Sequence, residues 1–242
     1  MYGVTFGEKH SYKGWGLTLK TRPVISPPSP KTIYVDIPAA DGIIDLTESL
    51  TGEVKYENRT ITCEFNVTDS RKRWSDIYSD ILDYLHGKKM NVIFDEDPTY
   101  YYIGRWKVNE WKSDKATSTI IIEGTVEPYK MNKFSSVGDW EWDSFNFESG
   151  IIQDFKNMVV EGTLNFTVIG SRKSVIPTIT VESSDGNGMT YNHMGQQSQR
   201  VLNLHLNDGV TKNPTIVYKD GETWVTITGN GTISVDFRGG RL

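Results

Sequence analysis

One long segment of this chain has the period of an α-helix, whereas most of the rest alternates in the manner of β-strands. Apolar residues recur at intervals of three and four from Arg71 to Leu85, which predicts an amphipathic helix lying on a sheet. Asp69 or Ser70 is placed to cap its first turn, and Gly87 to take a left-handed conformation after its last. The expected buried face consists of Trp74, Ile77, Tyr78, Ile81, Leu82 and Leu85.

The other segments of the first half are predicted strands. Cys63 lies in an alternating strand pattern that makes it a core thiol, and Pro128 ends the last strand because it has no N–H to donate. The last two of the strands form an extended hairpin around the polar residues 112–115. The predicted strands are Lys31–Ile37, Glu53–Tyr56, Arg59–Val67, Met90–Phe94, Tyr100–Trp111 and Thr117–Val126.

The second half has fewer charges and many turn residues. Turns are predicted at Ser184–Gly188, Asn207–Gly209 and Lys219–Gly221, and Gly229-Asn-Gly231 is expected to close a last hairpin. This spacing predicts a β-sandwich, so we expect a mainly β protein with one amphipathic helix and with domains 1–134 and 135–242. The predicted strands are Gly162–Ile169, Thr178–Glu182, Met189–His193, Arg200–Leu206, Thr215–Lys219, Thr223–Thr228 and Gly231–Phe237.

Charge and hydropathy limit the partners of this chain. Its 242 residues carry a net charge of −5, which does not supply the basic field that sequence-specific nucleic-acid binding needs. Apolar runs are too short for a membrane span, and the first residues lack the apolar core of a signal peptide. We therefore expect synthesis in the cytosol.

Catalytic and metal-binding patterns are absent from the sequence. The four histidines, His10, His86, His193 and His205, do not occur in metal-ligand spacings, and His86 is placed to cap the helix end. The acidic run Asp95–Asp97 is interpreted as a solvated turn because it lacks the spacing of a calcium loop. We expect no catalytic residues, cofactor or metal.

Trp140 and Trp142 alternate with carboxylates in a segment that has three interpretations. The favoured one is a strand packing between domains or subunits, where aromatic residues are enriched. The second is a platform on which sugars stack, and the third, well behind, is a glycosidase cleft with paired carboxylates.

An ordered set of short motifs over about 130 residues resembles the distal tail proteins of long-tailed phages that infect Gram-positive bacteria. The helix around Trp74 lies between the earlier and later motifs. The motifs are Gly3-Val-Thr-Phe6-Gly7, Gly14-Trp15-Gly16-Leu17, Lys31-Thr-Ile-Tyr-Val-Asp36-Ile37-Pro38, Asp41-Gly-Ile-Ile-Asp45-Leu46-Thr47, Tyr56-Glu-Asn-Arg59, Gly104-Arg105-Trp106 and Gly124-Thr-Val-Glu127-Pro128-Tyr129.

The resemblance implies a non-enzymatic virion protein that is assembled in the host cytoplasm and forms a hexameric hub ring at the tail tip. It implies an N-terminal β-sandwich or split-barrel-like domain with an extended hairpin, which makes the ring around the DNA channel. The C-terminal domain is expected to be a galectin-like β-sandwich, although the galectin sugar-binding pattern is missing from the sequence. The implied partners are the tail tube protein, a tail-associated hub or fibre protein and a receptor-binding protein.

Two segments are candidates for contacts between subunits of such a ring. One is the Pro-rich connector Val24–Pro30, expected to reach a neighbouring subunit, and the other is the predicted long hairpin. The alternative function is a carbohydrate-binding module for a bacterial cell-wall polymer, with Trp140 and Trp142 as the contact residues. The candidate interface residues of the hairpin are Tyr101, Ile103, Arg105, Trp106, Trp111 and Ile121.

Overall fold

The computed structural model describes residues 3–39, 41–67, 73–113, 118–138, 153–195 and 202–242. The chain divides into two compact units, Met1–Lys130 with Leu242, and Met131–Arg241, which we call the N-terminal and C-terminal units. The predicted mainly β architecture with one long amphipathic helix is confirmed.

Strands and two helices make up the N-terminal unit. Its main sheet has the order β2-β1-β8-β9-β10-β7-β3, and β4 also pairs with β7. The strands and helices of the unit, in chain order, are β1 (Val4–Phe6), β2 (Lys9–His10), α1 (Ser11–Trp15), β3 (Leu17–Leu19), β4 (Val24–Ile25), β5 (Tyr34–Asp36), β6 (Ile43–Asp45), β7 (Arg59–Val67), α2 (Trp74–Leu85), β8 (Lys89–Phe94), β9 (Tyr100–Ser113) and β10 (Ser118–Val126).

Helix α2 is the predicted amphipathic helix. It buries Ile77, Ile81 and Leu85 in the core of the sheet, and Trp74, Tyr78 and Leu82 pack against the same core. The predicted caps Asp69 and Ser70 lie outside the described residues. At the other end, Gly87 has φ +75° as predicted. The His86 Nδ1 atom accepts the N–H of Val108 at 3.1 Å, so this side chain joins the helix end to β9.

The short helix α1 was not predicted from the sequence. His10 caps it, because its Nδ1 accepts the N–H groups of Tyr12 and Lys13 at 3.2 and 3.3 Å. Its Nε2 lies 3.0 Å from the Asp95 carboxylate, which also accepts the N–H of Gly3 at 2.8 Å. A histidine is an unusual cap, which explains why the usual cap residues did not reveal this helix.

The acidic turn Asp95–Asp97, which the sequence analysis interpreted as a solvated turn, makes ion pairs with other parts of its unit. Besides the contact of Asp95 with His10, Glu96 lies 3.2 Å from Arg22, and Asp97 pairs with Lys130. Each carboxylate of the turn therefore has a cationic or imidazole partner from another part of the unit, in addition to its exposure to solvent.

The C-terminal unit is formed by β-strands around a second hydrophobic core. Its sheet has the order β15-β14-β17-β13-β16, and β12 pairs with β17 along its whole length. The strands, with β11 starting at the boundary residue, are β11 (Lys130–Asn132), β12 (Met158–Gly170), β13 (Thr178–Ser184), β14 (Met189–Gly195), β15 (Leu202–Leu206), β16 (Gly209–Thr211), β17 (Gly221–Asp236) and β18 (Gly240–Arg241).

Two predictions for the C-terminal unit are wrong. The segment Gly229-Asn-Gly231 does not close a hairpin, because β17 runs through it as one continuous strand. One half of β17 pairs with β14 and the other with β13, and Gly229 lies directly opposite Gly162 where the strand changes partner. Gly162 and Gly229 adopt φ of +76° and +139°, so these glycines lie within two long strands instead of ending them. The segment Thr215–Lys219 makes one isolated bridge, Val175 to Tyr218, instead of a strand.

Candidate assembly surface

Five of the six residues predicted to close a ring lie on β9, a strand that is paired on both edges over part of its length, and Ile121 lies on β10. Strand β9 pairs with β8 through Tyr102–Arg105 and with β10 through Gly104–Ser113. Over Gly104–Arg105 its backbone has neighbours on both sides, so only side chains there can reach another molecule.

Three of the candidates share the outer face of the sheet. Tyr101 and Ile103 are half-buried, and Arg105 is exposed, donating from Nη1 to the carbonyl oxygen of Gly87. Ile121 of β10 is also half-buried on this face, directly opposite Glu110 and Glu64. Their roles in an interface stay predictions.

Trp106 is located in the core. Its side chain is fully buried, and its ring packs edge-on against Phe6 with 5.2 Å between ring centroids. Its indole therefore stabilises the N-terminal unit itself, and contact with a neighbouring subunit would require this core to open.

Trp111 points to the opposite side of the sheet from Tyr101, Ile103 and Arg105. A β-bulge at Asn109 makes Ile121 pair with Glu110 and Ile122 with Val108, which shifts the alternation by one residue. Trp111 therefore faces the helix side, where it stacks on Tyr78 with 4.6 Å between centroids. It remains 39% exposed. Hence the six hairpin candidates do not form one surface.

Trp140 and Trp142, the candidate sugar or partner contacts, lie outside the described residues. Their interpretations stay predictions.

The Pro-rich connector leads into a feature that the sequence analysis did not single out. After β4 pairs with β7, the chain leaves the sheet, and the bridge between Pro30 and Tyr56 marks where it departs and returns. Residues 31–52, which we call the arm, carry the antiparallel pair β5–β6. Apart from the half-buried Thr47, every described residue of the arm is exposed, and none belongs to a hydrophobic core.

One face of the arm is apolar. Val35 lies directly opposite Ile44, and the N–H of Leu46 donates to the carbonyl oxygen of Ile33 at 2.8 Å, so these side chains share a face. The other face alternates Tyr34 and Ile43 with aspartates. The exposed fractions on the apolar face are Ile33 46%, Val35 40%, Ile37 41%, Ile44 46% and Leu46 37%.

Local hydrogen bonds fix the register of the arm. The Thr47 hydroxyl accepts the N–H of Ile33 at 3.1 Å, and the Asp45 carboxylate accepts the N–H of Thr47 at 2.9 Å. Hydrogen bonds from Thr47 lower the pKa of Asp45, which keeps this carboxylate charged as the acceptor. An isolated two-stranded hairpin is marginally stable in water, so an uncovered apolar face indicates a missing partner surface.

The part of the chain that the structure describes contains neither a cluster of metal-binding side chains nor a helix that could span a membrane. Within those ranges, His, Cys, Asp and Glu side chains do not come together in groups of three or more that could hold a metal ion. Neither α1 nor α2 in the same ranges has the length and apolar character needed to span a membrane.

Comparison with known proteins gives a structural match and no sequence match. No protein-family model and no curated protein sequence matches the chain. The structure is similar to the crystal structure of SPP1 Dit (gp 19.1), described as a paradigm of the hub adsorption apparatus in phages that infect Gram-positive bacteria. The match covers 100% of both chains with a TM-score of 0.63 and 12% sequence identity.

The chain has the fold of this hub protein. The resemblance to distal tail proteins that the sequence motifs indicated is thereby confirmed at the level of the fold. Because the whole of each chain is aligned, the similarity includes the N-terminal and the C-terminal units.

Proposed function

We propose that this chain is a structural subunit of a phage tail hub, located at the tail tip of the virion. In this proposal six copies form a ring between the tail tube and the host-recognition proteins, and the ring surrounds the channel through which the genome passes. The ring is assembled in the host cytoplasm. The chain acts by holding proteins together and does not catalyse a reaction.

The observation that supports this proposal best is the uncovered apolar face of the arm. The face is formed by aliphatic side chains on a hairpin that has no core of its own. Covering it with a second copy removes that apolar surface from water, at roughly 25 cal/mol per Å². The fold of a hub adsorption protein supports the same interpretation.

A cyclic ring requires a head-to-tail contact, in which the arm of one copy packs on a different surface of the next. The arm suits this geometry because the bridge between Pro30 and Tyr56 fixes where the chain leaves the sheet and where it returns. Arg105 and the half-buried Tyr101 and Ile103 belong to an exposed sheet face of the same unit, which we propose as part of the receiving surface.

The test compares the mass of the wild-type chain with two arm variants. Val35→Ser combined with Ile44→Ser makes the apolar face polar, whereas Ile43→Ser changes the more exposed residue on the opposite face. Light scattering over a range of concentrations should give the mass of a six-subunit ring for the wild type and for Ile43→Ser, and the mass of a single subunit for the double variant. Negative-stain images of the wild type should show closed rings.

The double variant should keep the unfolding midpoint of a dissociated wild-type subunit, since both side chains are exposed before assembly. A wild-type chain that stays monomeric, alone and with isolated tail tubes, would contradict the proposal. Assembly of the double variant to the wild-type mass would exclude the arm as the contact.

A further inference from the structure

A second exposed surface lies on the C-terminal unit and is formed by six uncharged residues. Three adjacent strands, β12, β17 and β14, place two rows of side chains on their solvent face. The first row is Thr167, Trp224 and Met194, and the second is Asn165, Thr226 and Asn192. We call these six residues the Trp224 face.

The register and burial of the strands define this face. Trp224 lies directly opposite Thr167 on one side and Met194 on the other, so the three side chains project together. Trp224 is 43% exposed and Met194 39%. The intervening residues Val225 and Val168 are buried in the core on the other side of the sheet. The indole is therefore held on a rigid, well-packed support.

None of these six side chains is ionisable, and the next exposed residue of β17 on the same face is Glu222, directly opposite Ile169. On the exposed side of the sheet of the N-terminal unit, Lys107 pairs with Glu123 at 3.3 Å and Lys89 with Glu127 at 3.3 Å. The Trp224 face instead has amides, hydroxyls, a thioether and an indole.

These groups match the chemistry of a neutral sugar. The apolar face of a pyranose ring can pack on an exposed indole, while amide and hydroxyl groups exchange hydrogen bonds with sugar hydroxyls. The Thr226 hydroxyl donates to Asn165 Oδ1 at 2.7 Å, which orients that amide. Asn165 on β12 and Asn192 on β14 lie on either side of β17, so their backbones are two strand spacings apart, roughly 9.6 Å. One or two sugar rings fill this distance.

We propose that the Trp224 face binds a neutral carbohydrate. One sugar ring stacks on Trp224, and the amides of Asn165 and Asn192 bind hydroxyls on either side of it. An anionic polymer is disfavoured because these six residues supply no cation to pair with it. This inference goes beyond the hub function and does not depend on ring formation.

The test uses the full chain and a panel of neutral oligosaccharides of glucose, galactose and N-acetylglucosamine, with poly(glycerol phosphate) as the anionic comparison. Immobilised glycans identify the best ligand, and calorimetric titration measures its affinity. Trp224→Ala should weaken binding by about tenfold or more, as expected when a central aromatic anchor is removed. Asn192→Ala should also weaken it.

Val210→Ser is the matched control, because Val210 is 72% exposed on β16, a strand that does not contribute to the face. It should bind as the wild type does. Light scattering of Trp224→Ala should give the wild-type mass, which separates this test from that of the hub.

Three results would overturn the inference. They are the absence of binding to every neutral glycan, neutral-glycan binding that Trp224→Ala leaves unchanged, and binding of the anionic polymer alone. If Trp224→Ala instead abolishes binding to another tail protein while no glycan binds, the face is a protein-docking surface and the inference is wrong.

Discussion

Gly124 lies directly opposite Trp106 in the ladder between β9 and β10, and a Cβ at residue 124 would come 2.6 Å from the indole ring. The missing side chain of one residue therefore makes the space for the largest fully buried side chain of the unit. This pair explains why a glycine is found inside a central strand, where it is otherwise unfavourable.

Gly124→Ala is expected to destabilise the protein by about 1–3 kcal/mol, because the tryptophan must shift within a close-packed core. Urea unfolding followed by tryptophan fluorescence measures the change. Gly14→Ala is the control, since its Cβ would meet only Lys9 Cβ at 3.7 Å. That variant should be as stable as the wild type or more so, and an equal loss in both variants would contradict the explanation.

Trp111→Ala should reduce stability and leave assembly intact. The ring of Trp111 stacks on Tyr78 and lies 4.9 Å from Trp74, so its removal loses contacts inside its own unit. The expected cost is about 1–3 kcal/mol, less than for a fully buried tryptophan because the side chain is partly exposed. Unfolding curves and light scattering on the same sample check both statements. Loss of the ring with unchanged subunit stability would show that Trp111 is an interface residue after all.

The two buried tyrosines of the C-terminal unit form a pair whose energetics a double-mutant cycle can resolve. The hydroxyls of Tyr191 and Tyr218 lie 2.9 Å apart, and burial raises the pKa of both, so both stay protonated well above neutral pH. Tyr191→Phe or Tyr218→Phe alone leaves one buried hydroxyl without this partner, at a cost of about 1–3 kcal/mol. The double variant should cost less than the sum of the two, measured by urea unfolding. Strictly additive losses would argue against the hydrogen bond.

Cys63 is expected to be chemically inert in the folded protein. Burial raises the pKa of its thiol from 9.0 to about 12. A thiol reagent at pH 8 should therefore not label the native chain and should label it fully in denaturant, since the thiolate is the reactive form. Rapid labelling of the native chain would show that the site opens.

The same pKa shift makes stability depend on pH. The folded-state pKa lies above the unfolded value of 9.0, so the contribution of Cys63 is complete below that pH and is lost as pH rises toward about 12. The free energy of unfolding should fall over this range, and less steeply in Cys63→Ala. Parallel pH profiles for the two proteins would contradict the assignment.

The sequence predicted most elements whose pattern is local. The apolar period of α2 and the alternation of Arg59–Val67 are properties of neighbouring residues, and both elements formed where expected. The face on which Trp111 lies could not be predicted, because a single extra residue at Asn109 reverses the alternation and a bulge has no signal in the strand pattern itself.

Long-range pairing was not predictable in the same way. The glycines at 229 and 231 have the composition of a turn, and only their pairing with β12 and β13 shows that they belong to one strand. Only the strand Lys31–Ile37 of the arm was predicted, and the significance of the arm depends on burial, because the same aliphatic residues would be unremarkable inside a core.

The point at which β17 changes partner, where Gly229 lies opposite Gly162, has a mechanical consequence. Because β12 and β17 each continue through it, covalent backbone connects the portion paired with β14 to the portion paired with β13. A pull on one portion is transmitted along peptide bonds and along the β12–β17 ladder, and does not rely on side-chain contacts alone. The C-terminal unit should therefore resist shear as one piece and yield in a single step, a behaviour that suits the tail-hub role proposed for this chain.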